Sequence, residues 1–172
     1  GAPSNFAAVE YSRQAEAQGA DAVMSLPPET TAEGKRAYFR AISEAIGIPI
    51  FAQEAGPALG AALLRQVAEE SEQVRYAKIE SGPPITIHDA VQQCGDLVTV
   101  FGGASGTHLI EELRRGSQGT MPWASQPQAF VRVWNHWEAG EEDEAHRVWE
   151  REISPVLRLG GVVHKEILHR QG

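Results

Sequence analysis

The chain is poor in the features that would assign it to several large classes of protein. Its 172 residues contain one cysteine, Cys94, so an internal disulfide is excluded and a reducing, cytoplasmic setting is expected. No apolar run approaches the roughly 18 residues that span a bilayer, and no signal peptide is recognisable. Runs of Lys and Arg are also missing and the formal net charge is -8, which argues against nucleic acid and anionic membranes as partners.

Signatures of phosphate and metal binding are missing as well. No Gly-x-Gly-x-x-Gly follows a predicted strand, and no P-loop lysine motif occurs. The stretch 102–106 (Gly-Gly-Ala-Ser-Gly) matches a phosphate loop only loosely, and a strand-to-helix turn is the simpler interpretation. His164 and His169 lie five residues apart, not the four that place two ligands on one helix face. We therefore expect no bound metal and no cofactor.

What the chain does contain is an alternation of short apolar strands with helices. Strands are predicted at 20–26, 48–53, 74–82 with its closing turn, 97–101 and 119–123. Strands that are apolar throughout and separated by helices indicate βα units around a parallel sheet. The spacing fits a (β/α) barrel or a doubly wound sheet, and five strands are too few to close an eight-stranded barrel.

The last third of the chain is predicted to be helical. The helical patterns, separated at Gly140 and Gly160, are 127–139, 142–159 and 161–169. This divides the chain into βα units at 1–126 and a helical extension at 127–172 that packs on them. In the first part, Glu111-Glu112 and Arg114-Arg115 fall on one predicted helix and are expected to form a solvated charged face.

Lys78 is the residue that points to chemistry, because it ends an apolar strand. An ammonium in a buried strand is costly unless it is paired or loses its proton. A neutral amine is the nucleophile that imine formation with a carbonyl substrate requires, so Lys78 is the candidate catalytic residue. The alternative is a strand-end lysine whose head reaches solvent. Glu80 points to the same side of the strand and is expected to pair with Lys78, contact a polyol substrate or simply be solvated.

Five short motifs stand in an order that is informative as a set. They are Gly19-Ala20-Asp21-Ala22 with Pro27-Pro28, Ile48-Pro49-Ile50 with Gly56-Pro57, Lys78-Ile79-Glu80-Ser81-Gly82, Phe101-Gly102-Gly103 and Gly116-Ser117-Gln118-Gly119. Spread over nearly all of the chain, this set resembles the dihydrodipicolinate synthase / N-acetylneuraminate lyase family. Members of that family are class I aldolases and lyases on a (β/α)8 barrel.

The resemblance implies a position for the chain within that barrel. The chain corresponds to about strands 4 to 8 followed by the C-terminal helices, so the expected fold class is α/β, a partial (β/α)8 TIM barrel. In the family the earlier strands carry a Gly-Thr-Thr-Gly-Glu-like loop that binds the carboxylate of the 2-oxo acid, and this chain has no counterpart of that loop. A homo-oligomer is the expected assembly.

The resemblance also implies roles for individual residues. Lys78 aligns with the lysine that forms the Schiff base, and Met121 aligns with a residue whose backbone contacts the pyruvate moiety, with core packing as the alternative. Gln53 stands where the family usually has a tyrosine that relays protons. Glutamine orients an oxygen by hydrogen bonds but cannot act as a general acid near neutral pH. We expect Gln53, Glu80, Gly103 and Met121 to bind the substrate.

The function expected from this reading is that of a lyase or aldolase acting on a small 2-oxo acid. Lys78 forms a Schiff base with a pyruvate-type substrate, and a C–C bond is made or broken. Because Gln53 replaces the tyrosine, 2-keto-3-deoxy sugar acids fit better than the substrates of dihydrodipicolinate synthase itself. The alternative is a truncated or diverged, non-catalytic barrel fragment that binds a ligand or self-associates to cover its open sheet edge.

Overall fold

A parallel sheet of four strands forms the centre of the fold in the computed structural model, which describes residues 2–56, 59–82 and 84–171. The strands lie side by side in chain order and each pairs in parallel with the next. They are β1 (Val23–Ser25), β2 (Ile50–Glu54), β3 (Val74–Ile79) and β4 (Thr99–Gly102). Each overlaps one of the predicted apolar runs, so the expected α/β architecture with a parallel sheet is confirmed.

The prediction of a fifth strand at 119–123 is wrong. Within the described part of the chain it contributes a single parallel bridge, from Thr120 to Gly102. Pro122 has no N–H to donate to a ladder, which explains why pairing stops at once. The segment nevertheless runs beside the end of β4, because the Met121 N–H donates to the Gly102 carbonyl at 3.2 Å.

Helices connect the strands and, with short turns between them, form the described chain from Pro127 onward. They are α1 (Asn5–Ala17), α2 (Ala32–Ser43), α3 (Ala61–Glu70), α4 (Ile85–Cys94), α5 (Leu109–Arg114), α6 (Pro127–Glu138), α7 (Glu142–Val148), α8 (Ser154–Leu157) and α9 (Val162–Gln171). A π-helical turn, Trp149–Ile153, joins α7 to α8, so the helix predicted over 142–159 is interrupted. None of the helices described is long and apolar enough to cross a bilayer.

The outer face of the sheet carries the main hydrophobic core. Ala52 and Ala77 on the central strands are fully buried, and α2, α3 and α4 cover them with large apolar side chains. A shift in pairing register between Ile50 and Phe51, opposite Val74 and Tyr76, lets Val74 join this core. Removing these side chains from water is the dominant favourable term for folding of this layer.

The inner face of the sheet is only half covered. Met24, Phe51 and Tyr76 share one layer, since they are register partners on adjacent strands. The rings of Phe51 and Tyr76 stack with centroids 4.4 Å apart, and Phe101 packs beside them. These rings are half-buried, and Met24 is 42% exposed. The sheet therefore presents on its inner face an aromatic surface that is partly open to solvent.

A second core cluster joins the C-terminal helices to α5. It is built from Leu109 and Leu113 on α5, Val133 on α6 and Ile153 in the π-helical turn. The indole N–H of Trp149 also donates to the Gly106 carbonyl at 3.0 Å. The C-terminal helices thus pack on the segment that follows β4, close to the carboxyl end of the sheet.

Ile42, on the buried side of α2, is the test of the outer core. It is fully buried in the main cluster, so Ile42→Ala is expected to lower the free energy of unfolding by about 2–5 kcal/mol through lost burial and a residual cavity. Chemical denaturation measures the change. Leu168→Ala on the exposed side of α9 is the control, with an expected change within about 0.5 kcal/mol. Equal losses in the two variants contradict this core assignment.

Candidate active site

Lys78 lies on the inner face of β3, one layer above the stacked rings. Its register partners are Gln53 on β2 and Phe101 on β4, so the three side chains share one layer of the inner face. The lysine side chain is 13% exposed. The carboxyl ends of parallel strands meet at this edge of the sheet, which is where α/β enzymes place their chemistry. The sequence therefore located the lysine correctly at the end of a mostly buried strand.

Glu80 is the hub of the site, since it receives three donors. The Lys78 ammonium forms an ion pair with its Oε1 at 2.9 Å, and the Gln53 amide donates to its Oε2 at 2.5 Å. The Ala104 N–H adds a longer bond to Oε1 at 3.4 Å. Burial alone raises the pKa of Glu80, but the hydrogen bonds from Lys78 and Gln53 outweigh it and hold the pKa below its ordinary value. Glu80 is thus an anion that pairs with the lysine, one of the three expectations for it.

Gly103 leaves room for the Glu80 side chain. A Cβ atom at Gly103 would overlap the Glu80 side chain, with Oε1 only 2.8 Å away. The next two residues, Ala104 and Ser105, have φ values of 46° and 61°, a left-handed conformation that costs free energy in non-glycine residues. This tight turn leads from β4 toward α5, as predicted, and it aims the Ala104 N–H at the carboxylate. The small size of Gly103 is what allows the Glu80 side chain to lie against it, and contact of Gly103 with a substrate stays a prediction.

Met121 comes to the same edge of the sheet through its backbone. Its N–H donates a hydrogen bond to the Gly102 carbonyl, and its side chain is half-buried. Its contact with a substrate stays a prediction. Lys78, Glu80, Gln53 and Gly103 form one connected group, while Met121 borders it. In the described ranges, which omit 1, 57–58, 83 and 172, no group of three or more His, Cys, Asp or Glu side chains could hold a metal ion.

Glu112 is a feature that the sequence interpretation missed. The predicted solvated face is right for Glu111, whose side chain is 43% exposed and pairs with Arg114 and Arg115. It is wrong for Glu112, which is only 4% exposed. Helical spacing was the available signal, because Glu112 lies three residues after Leu109 on the buried side of α5. Burial raises the pKa of Glu112 to about 7.

Glu54 is a second buried carboxyl, on the outer face at the end of β2. It accepts a hydrogen bond from the Ser81 hydroxyl. Burial raises the pKa of Glu54, and the hydrogen bond from Ser81 offsets this only in part. Two carboxyls with raised pKa values therefore lie on the outer side of the sheet edge, while the ionised Glu80 stands on the inner side.

The fold is that of a βα protein, and the lysine-centred group lies at the carboxyl edge of its parallel sheet. Residues 1–160 match the model of the dihydrodipicolinate synthetase family, and the chain belongs to that family. The resemblance drawn from the motifs is thereby confirmed.

Two curated relatives come from different branches of the family. The chain is 30% identical over 175 residues to L-2-keto-3-deoxyarabonate dehydratase of Azospirillum brasilense, covering 94% of this chain and 57% of the relative. It is 27% identical over 156 residues to 4-hydroxy-tetrahydrodipicolinate synthase of Thermodesulfovibrio yellowstonii, covering 86% of this chain and 53% of the relative. The chain thus spans a little over half the length of these relatives.

Solved structures give the same result for the fold. Dihydrodipicolinate synthase from Rhodopseudomonas palustris superposes with a TM-score of 0.86 at 28% identity, over 99% of this chain and 63% of that one. YagE from E. coli K12, solved in complex with pyruvate, gives 0.84 at 18% identity over 96% of this chain and 60% of that one, a likeness of fold alone.

Glu112→Gln is predicted to remove a pH dependence of stability. With its pKa raised from 4.5 to about 7, folded Glu112 keeps a proton that the unfolded chain has released, so the free energy of unfolding falls as the pH rises from about 4.5 to 7. The loss is on the order of 2–3 kcal/mol. Glutamine is always neutral, so the variant matches the wild type near pH 4 and is the more stable protein at pH 8. Denaturation across this pH range measures the difference.

The matched control for this prediction is Glu111→Gln on the same helix. Hydrogen bonds from Arg115 and Arg114 hold the pKa of Glu111 below its ordinary value, so neutralising it brings no gain at pH 8. Parallel stability curves for wild type and Glu112→Gln would contradict the assignment of a raised pKa to Glu112.

Proposed function

We propose that the chain contributes the catalytic lysine of a Schiff-base lyase that acts on a 2-oxo acid of the 2-keto-3-deoxy sugar acid type. The observation that carries the proposal is the largely buried Lys78, paired with Glu80 at the carboxyl edge of the sheet. The dehydratase relative from Azospirillum brasilense supports the choice of substrate class. No bound metal or cofactor is required by this chemistry, because the imine itself withdraws the electrons.

The proposed reaction begins with loss of a proton from Lys78. The ammonium, held by Glu80 at 2.9 Å, gives this proton up to solvent, and the neutral amine adds to the ketone carbon of the substrate. The hydroxyl of the carbinolamine takes up a proton and leaves as water, which gives a protonated imine bound to Lys78. Loss of a proton from the neighbouring carbon, or cleavage of a C–C bond there, then produces an enamine. A hydroxyl group one carbon further on leaves from that enamine in a dehydratase.

Gln53 and Glu80 replace the family tyrosine in this proposal. Gln53 cannot donate a proton as an acid, but its amide fixes one oxygen of Glu80. The second Glu80 oxygen faces Lys78, so the carboxylate is the group placed to accept and return protons. Gly103 and the Met121 backbone border the space beside it, and we assign them to substrate binding.

We also propose a place for the chain in a larger assembly. The four strands and the segment at Thr120 correspond to about strands 4 to 8 of a (β/α)8 barrel, with 127–172 as the helical extension packed on 1–126. The high TM-score over most of this chain but only 63% of the structure from Rhodopseudomonas palustris supports this. A homo-oligomer in the cytoplasm stays part of the proposal.

Trapping with borohydride tests the Schiff base directly. Pyruvate and sodium borohydride are expected to add one reduced pyruvate to the natural protein, on the peptide that contains Lys78. Lys78→Arg is expected to abolish the adduct, because a guanidinium does not form the imine. Mass spectrometry of the digest reads the position. The chain has three lysines, Lys35, Lys78 and Lys165, so the peptides are simple to tell apart.

Lys165→Arg is the control, since that lysine is exposed on α9. It should keep the adduct at Lys78 at the wild-type level. Absence of any adduct at Lys78 in the folded natural protein defeats the proposed function.

The half-open inner face favours a second candidate function, binding or self-association without catalysis. Met24 on the edge strand is 42% exposed, and an apolar cavity of about 270 Å³ lies beside Phe101 between α5 and α6. A second copy of the chain that covers this face would remove apolar surface from water. Met24→Glu is then expected to raise the dimer dissociation constant at least tenfold in sedimentation equilibrium. A chain that is monomeric at all concentrations and is trapped by pyruvate excludes this candidate.

A further inference from the structure

One oxygen of the Glu112 carboxyl is buried without a partner directly behind the active-site edge. This Oε2 atom is inaccessible to solvent and has no hydrogen-bond partner among the described residues. The group lies over Gly102, the last residue of β4, where a Cβ atom would come within 2.6 Å of Glu112 Cδ. A glycine at the strand end thus leaves the space that the carboxyl occupies. An unpaired buried carboxyl oxygen is costly, and such groups call for an explanation in the structure.

A small cavity connects Glu112 with Glu80. Its volume is about 10 Å³, close to the smallest that holds one water molecule. Of the titratable groups, Glu80 after β3, His108 before α5 and Glu112 itself line it. Lys78 faces it through its ion pair with Glu80. Glu54 on β2 faces it through the Ser81 hydroxyl, since Ser81 also lines the cavity.

We propose that Glu112 is a positioning residue that acts through Glu80 on the proton of Lys78. The inference rests on the proposed function for its catalytic meaning, but the electrostatic coupling stands without it. When Glu112 is neutral, its hydroxyl donates to a water in the cavity, and that water donates to Glu80. When Glu112 releases its proton, a second buried negative charge stands behind the Lys78–Glu80 pair. The pair then holds its remaining proton more tightly, because added negative charge stabilises the ammonium.

In this arrangement the protonation of Glu112 near neutral pH controls how easily the Lys78 amine loses its proton. Neutral Glu112 leaves Glu80 as the only carboxylate close to the amine, and proton loss from Lys78 is easier. The transfer conserves protons: Glu112 gives one to solvent, and Lys78 keeps one that it would otherwise release. His108 is exposed and shares the cavity wall, so it provides a path by which that proton reaches solvent.

A purely structural role for Glu112 is the competing explanation, and it makes a different prediction. A buried acid that only packs against Gly102 changes stability with pH but leaves the Lys78 amine unaffected. The titration of Lys78 itself is therefore the decisive readout. ¹³C labelling at lysine Cε gives separate resonances for Lys35, Lys78 and Lys165, assigned by Lys→Arg variants, and each reports the charge of its own amine.

The experiment compares wild type with Glu112→Gln in this titration. Below pH 6, where Glu112 is neutral, the Lys78 resonance is expected to coincide in the two proteins. Above pH 8 the neutral fraction of the Lys78 amine is expected to be roughly three- to tenfold higher in Glu112→Gln, because the buried charge is missing. Lys165 on α9 serves as the internal reference and should titrate identically in both. Identical Lys78 curves overturn the proposal.

Glu111→Gln is the matched control, since it removes the same charge from the exposed side of α5 and should leave the Lys78 curve unchanged. Glu112→Met, neutral and of similar length, gives a second reading if the glutamine variant does not fold. Pyruvate trapping on the same samples separates the two claims. Different Lys78 curves without an adduct mean that the coupling stands and the proposed function fails. Identical Lys78 curves with an adduct mean that the proposed function stands and the coupling fails.

Discussion

The ion pair between Lys78 and Glu80 is the interaction on which the rest of the site depends. An ammonium that is mostly removed from water needs a counter-charge, and the carboxylate that supplies it, Glu80, is itself fixed by Gln53 and by the Ala104 N–H. Each of these donors comes from a different segment. The pair therefore draws β2, β3 and the turn after β4 into one electrostatic unit, and the strand order of the sheet is what makes that possible.

The three carboxyls around this edge divide into two environments. Glu80 receives donors and is ionised, whereas burial raises the pKa values of Glu54 and Glu112. Environments that give neighbouring carboxyls different pKa values are typical of sites that move protons. Along β2, Gln53 faces the inner side and Glu54 the outer side, because successive residues of a strand face opposite sides.

Local pattern explains why some of this was predictable and some was not. The strand that carries Lys78 is readable from its own apolar residues and from the glycine that follows. The bond between Gln53 and Glu80 joins residues 27 apart, and it depends on the pairing register of two strands, which no local pattern specifies. Glu112 was misjudged because its charged neighbours suggested a solvated face, while its helical phase with Leu109 indicated burial. A full strand was predicted at 119–123, where the structure has a single bridge at Thr120, because the apolar run was read without the effect of Pro122, which cannot donate to a ladder.

The hydrogen bond from Trp149 to Gly106 extends this unit to the far end of the chain. The indole comes from the π-helical turn and donates a hydrogen bond to the same tight turn that presents the Ala104 N–H to Glu80. The chain has four tryptophans, and in a variant that keeps only Trp149 the intrinsic fluorescence becomes a spectroscopic reporter of the turn. Motion of the C-terminal helices and rearrangement beside the lysine would then be seen as one optical signal, without any attached dye.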